Sequence, residues 1–248
     1  VYTATFTPTT DGNCTISVAQ NKFTDASGNN NSASNDFTWI FDSTSPSMTI
    51  TSSTVSSGDK SNDPIISLTF TSSESTTNFT INDITTSSGT LSDFSGSGTT
   101  YTAILTPSGD ATYTISVAEN TFTDSAGNNN SASNDFTWTL DSTSPTMTIT
   151  STTVSSGDTS NDDTINITFT SNESTSNFVE GDITVSGGSL SNFAGSGTTY
   201  TATLTPTADG TCTISVAAAT FTDSSGNNNS ASNNFSWTYD STGPTMTI

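Results

Sequence analysis

Histidine and arginine are absent from this 248-residue chain, and lysine occurs only as Lys22 and Lys60. Without histidine there is no catalytic triad built on imidazole and no His-ligated zinc centre. Against those two lysines stand 23 acidic residues, for a net charge of −21. Such a chain repels phosphate backbones and anionic lipid surfaces, which excludes nucleic acid as a partner. No apolar run approaches membrane-spanning length, so direct membrane insertion is excluded as well. No glycine-rich phosphate loop follows a strand, and no reducing dithiol is present. The paired acids Asp162 and Asp163 sit in a polar loop whose earlier copy is Asp63-Pro64, so the span reads as non-enzymatic.

Cysteine is nearly absent too. Cys14 and Cys212 hold the same place in two copies of a repeat, and Tyr113 holds it in the copy between them. Two repeat lengths put the thiols beyond disulfide reach. The alternation of CTISV turns each cysteine inward, so both are expected to be free and buried.

What is present is repetition. The stretch FTDSAGNNNSASNDFTWTLDSTSPTMTI, residues 122–149, occurs three times nearly letter for letter. Trp39, Trp138 and Trp237 fall 99 residues apart, as do Pro46, Pro145 and Pro244. So strict a period means one folding unit copied along the chain. The spacing predicts part of a module over 1–44, complete modules over 45–143 and 144–242, and a first strand at 243–248. On this reading the chain is a window on a longer array, and a span opening mid-module would show no signal peptide.

Only 29% of residues are hydrophobic, but they fall at strand spacing. In the copy starting at Pro46, SMTITSSTV, PIISLTFT, ATYTISVA and DFTWTL alternate apolar with Thr or Ser. SSGDKSND reads as a loop, a further strand is expected near Asp83, and LSDFSGSGTTYTAIL reads as a hairpin turning at Ser-Gly-Ser-Gly. Seven short strands without helical periodicity predict an all-β antiparallel sandwich in each module. Threonine lines the outer faces, as suits half-buried strands. Such arrays can also order water at an ice surface or carry O-linked sugars, although a twisted sheet matches ice poorly.

If successive strands alternate up and down, the second–third and sixth–seventh loops meet the incoming linker at one end. That brings together Asp42, Glu74, Asp83 and Asp124, and one period later Asp141, Glu173, Asp182 and Asp223. Four carboxylates gathered without Lys or Arg repel one another unless a cation joins them. Two roles stay open for the Asp-x-x-Gly-Asn loops at Asp25, Asp124 and Asp223: closing a turn on backbone amides, or ligating metal. The Asp-Ser-Thr-x-Pro linker likewise reads as a stiff spacer or as a source of ligands. Gly-Asp-Thr-Ser-Asn-Asp at 157–162 lacks the spacing of an EF-hand and reads as a solvated loop.

TFTSSESTTNFTINDITTSSGTLSDF, TFTDSAGNNNSASN and the DSTSPTMTI linker together resemble the tandem bacterial immunoglobulin-like domains of giant adhesins and cell-surface proteins. The resemblance covers the whole chain. It implies tandem immunoglobulin-like β-sandwiches arranged end to end at the cell surface or outside the cell, with calcium bound at or near the linkers. Carried onto this sequence, it matches Glu74 and Glu173 at the Ser-Glu position, Asp83 and Asp182 at Asp-Ile, and Asp124 and Asp223 in the Asp-x-x-Gly-Asn loop. The chain departs from antibody domains in having no paired cysteines and in carrying its tryptophan on the last strand.

The expected function is therefore a structural shaft for a surface fibre or adhesin, with calcium-stiffened joints. Its partners would be neighbouring modules of the same chain and other copies in a filament. The alternative is a binding module whose end loops or Thr-rich faces recognise a glycan or cell-surface partner. Loops copied almost unchanged favour the shaft. Asn-x-Ser/Thr sequons at Asn13, Asn30, Asn78, Asn129, Asn166, Asn172, Asn228 and Asn234 would make it a glycoprotein where an N-glycosylation pathway exists.

Overall fold

The computed structural model describes residues 1–175 and 177–248. Alternating β-branched and aromatic residues, punctuated by Ser-Gly and Asn-rich turns, give a chain made almost wholly of strands. The first strands are β1 (Gly12–Ile16), β2 (Phe37–Phe41), β3 (Met48–Ser52), β4 (Lys60–Ser61) and β5 (Ile66–Thr76). Then come β6 (Ile84–Thr86), β7 (Thr90–Thr106), β8 (Ala111–Val117) and β9 (Phe136–Leu140). The same series recurs as β10 (Met147–Ser151), β11 (Thr159–Ser160), β12 (Ile165–Thr175) and β13 (Ile183–Ser186). It closes with β14 (Gly188–Pro206), β15 (Gly210–Val216) and β16 (Phe235–Tyr239). Single 3-10 turns at Ile81–Asp83 and Glu180–Asp182 precede β6 and β13. No helix among the described residues is long and apolar enough to cross a membrane.

The chain divides into two compact units, one of residues 1–57, 65–108 and 113–137, the other of 58–64, 109–112 and 138–248. The second unit holds a three-stranded sheet in the order β10-β12-β14 and a four-stranded sheet in the order β11-β16-β15-β13. Ile149, Ile167, Phe169, Leu204, Ile214, Val216 and Trp237 are all at most 2% exposed and fill the space between the sheets. Each such side chain contributes about 1.5–3 kcal/mol by leaving water. The Trp237 indole N–H donates to Ser160 Oγ at 3.0 Å, so the largest core residue leaves no polar atom unpaired. On the outer face of β10-β12-β14 the register sets Thr148 beside Thr170 and Thr170 beside Thr199. A second row runs Thr150, Thr168, Thr201.

Two local expectations change. β11 pairs in parallel with β16, Thr159 with Thr238 and Ser160 with Tyr239, so the sandwich is not purely antiparallel. The polar stretch read as a loop supplies this strand because Asp158 accepts from the Thr238 amide (2.9 Å) and Ser160 from the Asp240 amide (3.0 Å). Within the β14 run the chain folds back where expected: a Cβ on Gly195, at φ +139°, would collide with the Thr199 carbonyl.

The first unit repeats the pattern. Its sheet β3-β5-β7 pairs Met48 with Ser72 and Phe70 with Tyr101, while β6 pairs with β8. Phe79 sits at the centre of an aromatic cluster, 5.1 Å from the Tyr101 ring and 5.2 Å from that of Phe122. The leading segment forms only the two-stranded β1–β2 sheet and leaves Phe23, Phe37 and Ile40 exposed. Both cysteines are free, and Cys212 is buried, with its thiol donating to the Gly187 carbonyl at 3.1 Å. Cys14 is only half-buried, contrary to expectation, because β1–β2 has no facing sheet among the described residues to cover it.

Candidate functional site

In the second unit the acidic group is assembled by strand register. β12 runs on past the expected strand end to Thr175, carrying Glu173 with it. Thr175 bridges to Asp223, which sets the Asp-x-x-Gly-Asn loop beside Glu173. Asp141 leads into β10, and that approach is held by Asn172, whose amide donates to the Thr146 carbonyl (3.2 Å) while its side-chain oxygen accepts from the Thr146 amide (2.6 Å). Asn227 completes the lock, its Nδ2 donating to the Asp141 carbonyl (2.8 Å) and to Asp223 Oδ2 (2.9 Å). One carboxylate oxygen from each of Asp141, Glu173 and Asp223 then lies within 4.8 Å of the other two.

The first unit builds the same group from Asp42, Glu74 and Asp124, again within 4.8 Å of one another. Thr76 bridges to Asp124, and Asn128 Nδ2 donates to the Asp42 carbonyl (3.2 Å) and to Asp124 Oδ2 (2.9 Å). Burial pushes the Glu74 carboxyl above its ordinary value, and the charges of Asp42 and Asp124 push it further. Burial also works against the Asp124 carboxylate, but hydrogen bonds from Asn128 and from the amides of Gly127 and Ala126 outweigh it and hold its pKa low. Of the two roles left open for Asp124, the turn-closing one is observed. It closes its own turn through Oδ1 and still stands among the grouped carboxylates.

Asp83 and Asp182 were expected at the same places and are not in either group. Each closes its 3-10 turn: Asp83 Oδ2 accepts from the Thr80 amide (2.7 Å), and Asp182 Oδ2 from the Val179 amide (2.8 Å). That backbone bond satisfies a turn amide and directs the side chain into its own loop.

The expectation that no lysine or arginine joins these acids fails for the second group. Lys60 Nζ lies 2.6 Å from Asp141 Oδ2. β4 is responsible, pairing in parallel with β9 so that Lys60 faces Thr139 and Ser61 faces Leu140. The Asp141 amide donates to the Ser61 carbonyl at 3.0 Å, which sets Lys60 alongside. The ammonium holds the Asp141 carboxyl below the usual range against the pull of burial, and Ser225 Oγ helps by donating to Oδ2 at 2.8 Å. The Lys60 pKa is raised in return by its bond to Asp141. Burial raises the Glu173 carboxyl, as do the charges of Asp141 and Asp223, while Lys60 pulls it back.

Sequence reasoning also passed over Asp11, Asp110 and Asp209. Asp110 Oδ1 accepts from the Ser142 amide (2.9 Å) and hydroxyl (2.7 Å), and Oδ2 from Thr143 Oγ1 (2.9 Å). Asp209 grips Ser241 and Thr242, and Asp11 grips Ser43 and Thr44, in the same way. The signal was available, since these aspartates recur at the 99-residue period. The Asp-Ser-Thr-x-Pro linker is thus fastened by its Ser and Thr.

Oxygens at most 4.8 Å apart match the span across one calcium ion, whose ligands stand at about 2.3–2.6 Å. The Asp42, Glu74 and Asp124 set offers only oxygen and fits such an ion, which would supply the charge that relieves their repulsion. In the Asp141, Glu173 and Asp223 set an ammonium already stands at one carboxylate.

The sequence profile of the bacterial Ig-like domain matches residues 42–140 and again 141–239. No curated protein matches the chain. Among solved structures, invasin, a bacterial integrin-binding protein, is similar with a TM-score of 0.45 and 14% identity, over 93% of this chain and 46% of its own. InvD of Yersinia pseudotuberculosis is similar with a TM-score of 0.34 and 17% identity, over 83% of this chain and 62% of its own. The adhesin InvE of Yersinia pseudotuberculosis gives 0.29 and 15%, over 78% and 58%. This chain spans about half the length of invasin. Two consecutive profile matches cover most of its residues, and with the paired sheets and the buried Trp138 and Trp237 they make it a member of the bacterial Ig-like domain family.

Proposed function

We propose that this chain is a section of the shaft of an extracellular or cell-surface fibre or adhesin, in which calcium stiffens the joints between repeated Ig-like modules. The observation that carries the reading is the convergence of Asp42, Glu74 and Asp124 to within 4.8 Å, on a linker aspartate and two loop acids. A cation that bridges those three carboxylates ties the linker to the sandwich that follows it. The role is structural rather than catalytic. Its first partners are neighbouring modules of the same chain, and other copies in a filament come next. Loops copied nearly unchanged between modules suit reach and stiffness more than recognition. At about 3.3 Å per strand residue plus its loops, each module adds roughly 40 Å of length.

Small-angle scattering of the full chain, with calcium and with EDTA, tests this reading. A longer and stiffer particle is expected in calcium. The variant with Asp42→Asn and Glu74→Gln is expected to lose that response. A wild-type profile that ignores calcium would leave the acidic group as a solvated spacer. The rows of exposed threonine across β10-β12-β14 support a second reading, in which that face meets a glycan.

A further inference from the structure

Lys60 is one of two lysines in the chain, and it stands at the most buried of the grouped linker aspartates. Its ammonium is 2.6 Å from Asp141 Oδ2, its side chain is 51% exposed, and that of Asp141 is 11% exposed. The charged end therefore reaches in from solvent to the rim of the group, as long basic side chains do. One repeat later the same position is Thr159, in a stretch otherwise copied letter for letter from Ser155 to Asp162. It is the one position at which the two copies of that loop differ, and it exchanges a long ammonium side chain for a short neutral hydroxyl.

We propose that Lys60 is a resident counter-ion which takes the place of a bound metal at Asp141, Glu173 and Asp223, so that calcium dependence differs from joint to joint along the array. The ammonium supplies part of the charge a divalent ion would bring, without being lost to a chelator. It also repels an incoming cation. A +2 ion and an ammonium ~5 Å apart in a water-like dielectric oppose each other enough to weaken binding roughly tenfold or more. A joint that follows a module with Lys at this position, as at Asp141, holds its acidic group closed without a metal. A joint that follows a module with Thr there, as at Asp240, needs the ion.

The counter-ion role stands on the ion pair alone, and only the comparison with calcium rests on the reading given under Proposed function. The experiment separates the two. In EDTA at low salt, Lys60→Met is expected to lower the melting temperature of the full chain, and Lys60→Arg to retain it. Equal melting of wild type and Lys60→Met would overturn the proposal. Calcium titration of the same proteins is the second arm. Lys60→Met is expected to gain an ion, or to bind it at least tenfold tighter, at a site that Glu173→Gln removes. A Glu173-dependent ion already bound in wild type with affinity unchanged in Lys60→Met would overturn the proposal. Absence of calcium binding in every variant, with the melting difference intact, would sink the calcium reading and uphold the counter-ion.

Discussion

The two acidic groups are copies of one arrangement, and they differ in what neutralises them. Around Asp42 the neighbours are Glu74, Asp124 and a loop carrying Ala126. Around Asp141 they are Glu173, Asp223, the Lys60 ammonium and the Ser225 hydroxyl. Asp141 is buried and Asp42 only half-buried. Lys60 reaches Asp141 from the module that precedes the linker, and the matching place for Asp42 falls outside these 248 residues, so the difference both copies display is Ala126 against Ser225. The lesson is that repeat identity fixes where carboxylates meet, while single non-identical positions set what they require.

The sharpest way to break the comparison is to remove the amide that ties linker to loop. Asn227→Ala deletes bonds to the Asp141 carbonyl and to the buried Asp223 carboxylate, and a loss of about 2–3 kcal/mol is expected by denaturant unfolding. Asn128→Ala in the first unit should cost less, since its bond to the Asp42 carbonyl is 3.2 Å and its site is wetter. Equal losses would mean that the two groups are locked alike.

Next in size is Lys60→Met in chelator. A pair with one end half exposed lies between surface and buried cases, so about 1–2 kcal/mol is expected, smaller at high salt. Ser225→Ala removes one hydrogen bond to Asp141 and should cost about 1 kcal/mol, with Ala126→Ser returning part of that to the first group. Failure of Ala126→Ser to stabilise would show that Asp42 is too wet to use the hydroxyl.

The smallest effect is that of pH. Asp110 and Asp209 have lowered folded-state values, caused first by the Ser142 and Ser241 side chains, so their stabilisation is present above the ordinary carboxylate range and is lost as pH falls through their folded values. Glu74 and Glu173 are raised, so their protonation in the folded state favours folding as pH falls through that higher range. A melting curve against pH should therefore stay flat or rise slightly on first acidification and then drop. Calcium should shift that first step more at Glu74 than at Glu173. A monotonic fall from neutral pH would contradict the raised glutamates.

Much of this was legible in the sequence. The 99-residue period, the inward Trp138 and Trp237, the hairpin at Ser-Gly-Ser-Gly and the meeting of linker, Glu and loop Asp all follow from alternation and strand order. Asp83 and Asp182 were misplaced because a 3-10 turn before β6 and β13 gives each carboxylate a nearby backbone amide, and strand order cannot see that. Lys60 escaped for a related reason. Its loop has no apolar alternation, and the two-residue strand that delivers it is stabilised by parallel pairing with a distant element. Asp110 was passed over, though its recurrence with the Ser-Thr of the linker marked a longer-range role.

Calcium titration of wild type, Glu74→Gln and Glu173→Gln under one condition addresses the central claim most directly. Glu74→Gln should abolish the tighter binding event, and Glu173→Gln should leave it in place. Loss of that event in Glu173→Gln with Glu74→Gln unaffected would reverse the assignment of the two groups and contradict the account.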